Sequence, residues 1–257
     1  MNKEINRLYM EMYEPSNTYS WIPMDSKELF ENNLNKNPSD ESLNYYLQNP
    51  IEYKLNNYGF RTPDDFNSEE EGNVFLGCSH TFGIGHHLEN VWSYKVNKHV
   101  GGKFWNLGIG GTGVMSHYRL LKKLYKKLKI KNIFHYAPLN CRYEFFFNDN
   151  PVSFSPGDIT EEGKIIINKN PPINMGDFLM DSLINKSQFE STYETHIDAI
   201  KWLSHEIGCD YYLVSRCNFL GDKKSLMARD LQHNSVIQET ELSQDFIKMY
   251  NKKNGII

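Results

Sequence analysis

The chain has 257 residues, 39% of them hydrophobic and 14% aromatic, and a formal net charge of −4. That is enough apolar material for one sizeable domain, and the acidic balance argues against a nucleic-acid binder, which normally carries a basic surplus. No stretch approaches the roughly 18 consecutive apolar residues of a membrane span. The N-terminal "MNKEINRLYMEMYEPS" lacks the apolar core of a signal peptide, so the expectation is a cytoplasmic protein, a virion component or lysis-released product reading the same way. Residues 1–50 are polar with interspersed aromatics (Tyr9, Tyr13, Tyr19, Trp21, Phe30, Tyr45, Tyr46), which suits a short helix or two packed on a main domain. Residues 51–72 read as an extended lead-in ending in an acidic loop.

From residue 73 the pattern sharpens. "NVFLG" (73–77) is an apolar run stopped by glycine, as in a buried strand. "LENVWSYKVNKHV" (88–100) sets Leu88, Val91, Trp92 and Val96 on one helical face, and "KFWNLG" (103–108) is a second strand. "VMSHYRLLKKLYKKLKI" (114–130) is an amphipathic helix with a stripe of Val114, Tyr118, Leu121, Leu124, Tyr125 and Leu128. "NIFHYAPL" (132–139) is a third strand, and 189–208 is a helix closed by Gly208. "DYYLVS" (210–215) is a fourth strand, and 236–253 is a final helix.

Strand and helix alternate four times, which predicts a three-layer α/β/α, flavodoxin-like fold with a mostly parallel sheet of four to five strands. The expected division is an N-terminal extension, 1–72, packed on an α/β domain, 73–257, with a lid-like insertion at about 148–187 in which "GKIIINKN" fits one strand of a hairpin.

In open α/β sheets the ligand site lies beyond the carboxyl ends of the strands. There the sequence supplies "GCSHT", "GIGGTG", "PLNCR" and the loop "RCNFLGDKKSLMARDLQH". These hold a serine (Ser79), a glycine cluster, Asn140, and an Asp230–His233 pair three residues apart. Serine is a poor nucleophile without an adjacent base. A neutral imidazole at His233 can take its proton, and Asp230 can hold that imidazole in one orientation. The Ser79 N–H, a glycine N–H and the Asn140 amide can face a tetrahedral oxyanion.

These blocks resemble those of the SGNH (GDSL-type) hydrolases. "FLGCSHTFGIG" is similar to the first family block, "WNLGIGGTG" to the second with Gly111 as the oxyanion glycine, "APLNCR" to the third with Asn140, and "ARDLQHNS" to the fifth with Asp230 and His233. The set occurs in family order over roughly residues 73–250. Cys78 stands where the family has Asp, and Pro138 where the third block has Gly. The resemblance implies a serine esterase: Ser79, His233 and Asp230 as triad, and Ser79, Gly111 and Asn140 as oxyanion hole. It implies no cofactor and no metal. The substrate would be a small acyl ester, and the N-terminal aromatics favour an acylated glycan.

Blander readings stand beside these. Ser79 after a strand-ending glycine suits a helix cap. His233 alone suits a surface loop, and Asn140 a turn. Cys78 reads as inert packing, the four cysteines (Cys78, Cys141, Cys209, Cys217) show no C-x-x-C spacing and read as free thiols, and His80, His86 and His87 read as loop residues near a site mouth. Arg61 and Arg142 suit structural ion pairs or an anionic substrate group. "GIGGTG" also spells a dinucleotide G-x-G-x-x-G, although residues 126–136 lack the acid such a fold places there. A catalytically silent SGNH-like module that binds glycan or serves in assembly is the alternative of another class.

Overall fold

In the computed structural model, residues 13–22, 27–138, 142–147, 150–154, 164–165, 173–174, 186–215 and 236–256 are described. Four parallel strands form the central sheet: β3 (Glu71–Leu76), β4 (Lys103–Asn106), β5 (Lys129–Ala137) and β10 (Asp210–Ser215). Their spatial order is β10-β5-β3-β4. Counted along the chain from β3, this is the flavodoxin-like order 2-1-3-4, whose switch point lies between the first and third strands. That crevice opens beyond the carboxyl ends of β3 and β5.

Alternation along the strands sorts side chains onto two faces. Phe75, Phe104, Phe134, Tyr136 and Tyr212 meet α4 (Trp92–Val100) and α7 (Val236–Asn254), where Trp92 stacks on Phe246 at 4.6 Å. Val74, Leu76, Trp105 and Ile133 meet α5 (Val114–Leu124) and α6 (Lys186–Ile207). First and last helices on one face, middle two on the other, is the arrangement right-handed crossovers impose on this strand order.

Buried amides fix the register at the start of the sheet. Asn132 on β5 donates to Asn73 on β3 at 2.7 Å, and Asn73 donates to Asn97 and to the Gly101 carbonyl, each at 2.7 Å. The β3–β5 register shifts at Gly72/Asn73 beside this network. The lead-in covers edge strand β4: the Asp64 carboxylate accepts the Phe104 N–H at 2.9 Å, and the Thr62 hydroxyl donates to the Phe104 carbonyl. Thus an acidic loop residue blunts an otherwise open sheet edge.

Before the sheet come β1 (Thr18–Tyr19), α1 (Lys27–Lys36), α2 (Glu41–Gln48) and β2 (Tyr53–Lys54), with β1 and β2 antiparallel. Asp40 caps α2 by accepting the Leu43 N–H at 2.9 Å. Phe30, Leu43, Tyr46, Tyr53 and Leu55 from this region cluster with Phe82 and Ile84.

Several boundaries differ from the sequence reading. Residues 88–100 do not form one helix: Leu88–Asn90 is a 3-10 turn, Val91 is extended, and α4 starts at Trp92. The helix from 114 ends at Leu124 and a 3-10 turn at Tyr125–Lys127 follows, so Lys129–Ile130 begin β5. Ile130 and Asn132 are buried while Lys129 and Lys131 are exposed, a period of two that the preceding lysine-rich helix obscures. β6 (Tyr143–Phe147), just before the expected insertion, pairs with β7 (Asn150–Phe154) inside it, and β8 (Lys164–Ile165), within "GKIIINKN", pairs antiparallel with β9 (Ile173–Asn174) as one strand of a hairpin. Among the described residues, no helix is long and apolar enough to cross a membrane.

Candidate functional site

Ser79 opens α3 (Ser79–Phe82), a single turn directly beyond β3 and therefore at the switch point. The Cys78 carbonyl accepts from the N–H groups of Thr81 and Phe82, each at 3.0 Å, and Gly83 closes the turn by donating to the Ser79 carbonyl at 2.9 Å. The Ser79 N–H precedes the first donor used within this turn, as at every helix start. No side chain caps the turn, so the capping reading of Ser79 has no support in the geometry. The Ser79 hydroxyl lies 4.0 Å from Cys78 Sγ, and both residues are fully buried.

The exit loop of β4 docks on this turn. Pairing continues past the strands, with Leu107 N–H on the Phe75 carbonyl at 2.9 Å and Ile109 N–H on the Gly77 carbonyl at 3.1 Å. Asn106 donates its side-chain amide to the Thr81 carbonyl at 2.8 Å and accepts the Gly108 N–H at 2.9 Å. A Cβ on Gly108 would lie 2.4 Å from the Phe82 nitrogen, so only glycine permits this approach. Gly111 sits at φ +79°, in the left-handed region that favours glycine. Thr112 closes the turn with both its N–H (3.4 Å) and its hydroxyl (2.7 Å) on the Ile109 carbonyl. Gly111 and Ser79 thus belong to adjacent strand-exit loops held together by Asn106. Asn140, Asp230 and His233 lie outside the described residues, as do Cys141 and Cys217.

Residues the sequence reading set near a site mouth have other places. His80 and His86 are buried, His80 edge-on to Tyr136, and His87 stacks on Tyr46 at 5.7 Å. Arg61, expected in a structural ion pair or on an anionic substrate group, is buried and bonds backbone carbonyls. Its guanidinium is buried over the Tyr53 ring at 4.5 Å and donates to the carbonyls of Gly83, Phe82 (3.2 Å) and His86 (2.7 Å), the loop following Ser79. Arg142 donates to the Thr112 carbonyl at 3.2 Å, tying the chain beyond β5 to the glycine turn. Most N-terminal aromatics are packing: Phe30 and Tyr46 are buried, Tyr13, Tyr19 and Trp21 partly so, and Tyr45 alone among these described rings is half exposed, at 50%.

The sequence reading passed over a buried polar layer beneath the glycine turn. His117 on α5 and His135 on β5 are fully buried with Nδ1 and Nε2 2.9 Å apart. Burial, then the neighbouring His135 and Arg142, hold the His117 pKa well below its usual value, against a small opposing pull from the Gly77 carbonyl. Burial lowers His135 to about 3. Both rings are therefore neutral at physiological pH. On the same helix, Ser116 and Arg119 hold the buried Glu144 of β6, with Arg119 Nε on its carboxylate at 2.8 Å. The signal for this layer was present as "SHYR" on the apolar face of the helix, where His117 and Ser116 interrupt the stripe.

The glycine run follows β4, an edge of the described sheet. A dinucleotide fold sets its pyrophosphate loop after the strand at the switch point, here β3, so the G-x-G-x-x-G spelling does not mark a nucleotide site.

No family model matches the chain, and no curated protein matches it in sequence. Among solved structures, it is similar to a G-D-S-L family protein from Desulfitobacterium hafniense, with 13% identity and a TM-score of 0.33 over 73% of this chain and 74% of that one. It is also similar to an acetyl xylan esterase from the rumen bacterium Butyrivibrio proteoclasticus, with 10% identity and a TM-score of 0.36 over 74% of this chain and 66% of that one.

Proposed function

We propose that the chain is a serine ester hydrolase that works through an acyl-enzyme. The observation that carries this reading is the position of Ser79, first residue of the helical turn that follows the switch-point strand, with the β4 exit loop locked against that turn by Asn106 and Gly108. Strand ends at a switch point are where α/β folds assemble ligand sites. The Leu107, Gly108, Ile109 and Thr112 N–H groups are taken up inside the protein, and among the described residues no acceptor takes the Gly111 N–H.

In this reading Ser79 Oγ attacks the ester carbonyl and His233 accepts its proton. The tetrahedral oxyanion is held by the N–H groups of Ser79 and Gly111 and by the Asn140 amide. His233 returns the proton to the leaving alkoxide, and water then attacks the acyl-enzyme by the same route. Asp230 orients His233. The substrate is a small acyl ester, an O-acetylated carbohydrate being the favoured class. Among the described N-terminal aromatics, Phe30 and Tyr46 are buried and Tyr45 is half exposed, so their packing gives that class little help. Ser79 is fully buried, so the substrate must reach a side chain that the protein encloses.

Labelling by a fluorophosphonate tests the reading: wild-type protein should label and Ser79→Ala should not. Folded wild-type protein that stays unlabelled overturns it. The same burial favours a second reading, a catalytically silent module of this fold that binds glycan or serves in assembly. Equal hydrolysis of p-nitrophenyl acetate by wild type and His233→Ala is the result expected of that module.

A further inference from the structure

The buried layer beneath the glycine turn forms a single chain of hydrogen bonds. Tyr211 Oη lies 2.8 Å from His135 Nδ1, His135 Nε2 lies 2.9 Å from His117 Nδ1, and His117 Nε2 lies 3.2 Å from Thr112 Oγ1. Its direction follows from one end. The Thr112 hydroxyl commits its proton to the Ile109 carbonyl at 2.7 Å, so toward His117 it can only accept. His117 Nε2 therefore carries the proton, and its Nδ1 is a bare acceptor. His135 must donate from Nε2, which leaves its Nδ1 to accept, and the Tyr211 hydroxyl supplies that proton. Each imidazole makes one donation and one acceptance along the chain, with both rings neutral, and the Gly77 carbonyl also lies beside His117. A proton added at His117 Nδ1 would set two donors face to face in a site closed to water, whereas one added at His135 Nδ1 would require the Tyr211 hydroxyl to turn and accept.

We propose that His117, His135 and Tyr211 are positioning residues for the Gly111 turn, a one-way relay whose last member, Thr112, fixes the backbone that presents the Gly111 N–H. The relay spans the sheet layer from β10 through β5 to α5 and ends between the exit loops of β3 and β4. A conformation of the left-handed type at Gly111 is held by its neighbours, and Thr112 is the neighbour with two bonds back across the turn. Among the described residues, the charged and titratable groups facing the relay are Arg142 beside His117, and Tyr193 and Asp198 of α6 beside Tyr211. The catalytic significance rests on the ester-hydrolase reading; the relay's hydrogen-bond direction does not.

The test uses the full chain with ¹⁵N-labelled histidine and the Tyr211→Phe variant, which removes one hydroxyl and little volume. In wild type, His117 and His135 should both appear as neutral Nε2–H tautomers throughout pH 5 to 8. In Tyr211→Phe the His135 tautomer should become mixed, and the Thr112 amide should exchange at least about tenfold faster. With p-nitrophenyl acetate, kcat should fall about tenfold while KM stays within about twofold, as expected for a displaced transition-state donor. An Nδ1–H tautomer or an imidazolium at either histidine at pH 6 overturns the relay, as does unchanged exchange at Thr112 in the variant. Wild-type protein without esterase activity would instead remove the hydrolase reading, and the tautomer and exchange results would still decide the relay.

Discussion

Asn106 and Thr81 join the two strand-exit loops of the candidate site: the Asn106 side-chain amide donates to the Thr81 carbonyl at 2.8 Å, both residues being buried. The same side chain accepts the Gly108 N–H, so one residue orients the loops of Ser79 and Gly111 together. Asn106→Leu should leave the buried Gly108 N–H unpaired and the Thr81 carbonyl with only the longer bond from Ser93 Oγ (3.4 Å), and cost about 1–3 kcal/mol. Urea unfolding checks this, and an unchanged midpoint would show that the bridge contributes nothing.

The two glycines of that loop should differ in their response to alanine. At Gly108 the added methyl meets the Phe82 backbone nitrogen, which can move only with α3, so Gly108→Ala should destabilise by about 3 kcal/mol and lower activity. At Gly111 the cost is the left-handed backbone, about 1 kcal/mol. Thermal unfolding of the pair should place Gly111→Ala closer to wild type; the reverse order would contradict the close approach.

Arg61 acts through geometry as much as charge. Its fork reaches the carbonyls of both Gly83 and His86 while the plane lies on Tyr53. Lysine has no planar fork, so Arg61→Lys should fail to restore stability lost in Arg61→Met, with both about 3 kcal/mol below wild type. A lysine variant as stable as wild type would mean that positive charge alone suffices there.

The buried histidines predict acid sensitivity. A pKa lowered on folding means the unfolded chain binds more protons, so stability rises with pH across the window between folded and unfolded values. For His135 that window runs from about 3 to 6.5. Its contribution is fully present above pH 6.5, declines by about 1.4 kcal/mol per pH unit as pH falls through the window, and levels off below it. His117, also lowered, acts in the same direction. Denaturant midpoints from pH 7 to 4 should fall less steeply in His135→Gln than in wild type, and parallel curves would show that folding leaves the His135 proton affinity unchanged.

The alternation of strands and helices was legible because it is local. Apolar runs stopped by glycine at 77 and 108, and the final helix near 236, need no knowledge of distant partners. Boundaries failed where two periods overlapped. Lysines at 126, 127, 129 and 131 suit a solvated helix face and the exposed side of a strand equally, and only pairing with β3 assigns Lys129 and Ile130 to β5. His80 and His86 looked like loop residues because their short turn is polar in sequence, yet the N-terminal cluster and Tyr136 enclose that region.

By itself, the sequence determined the α/β class, the four strands and the strand ends that carry Ser79 and Gly111. Only the tertiary structure decided that Ser79 stands at the switch point and that the glycine run follows an edge strand. It also decided that Arg61 is consumed by carbonyls and that His117 meets His135 under the turn. The physical reason is range. Propensity and periodicity act over a few residues, whereas strand order and buried hydrogen bonds are choices among partners tens of residues apart, made by the burial of whole faces.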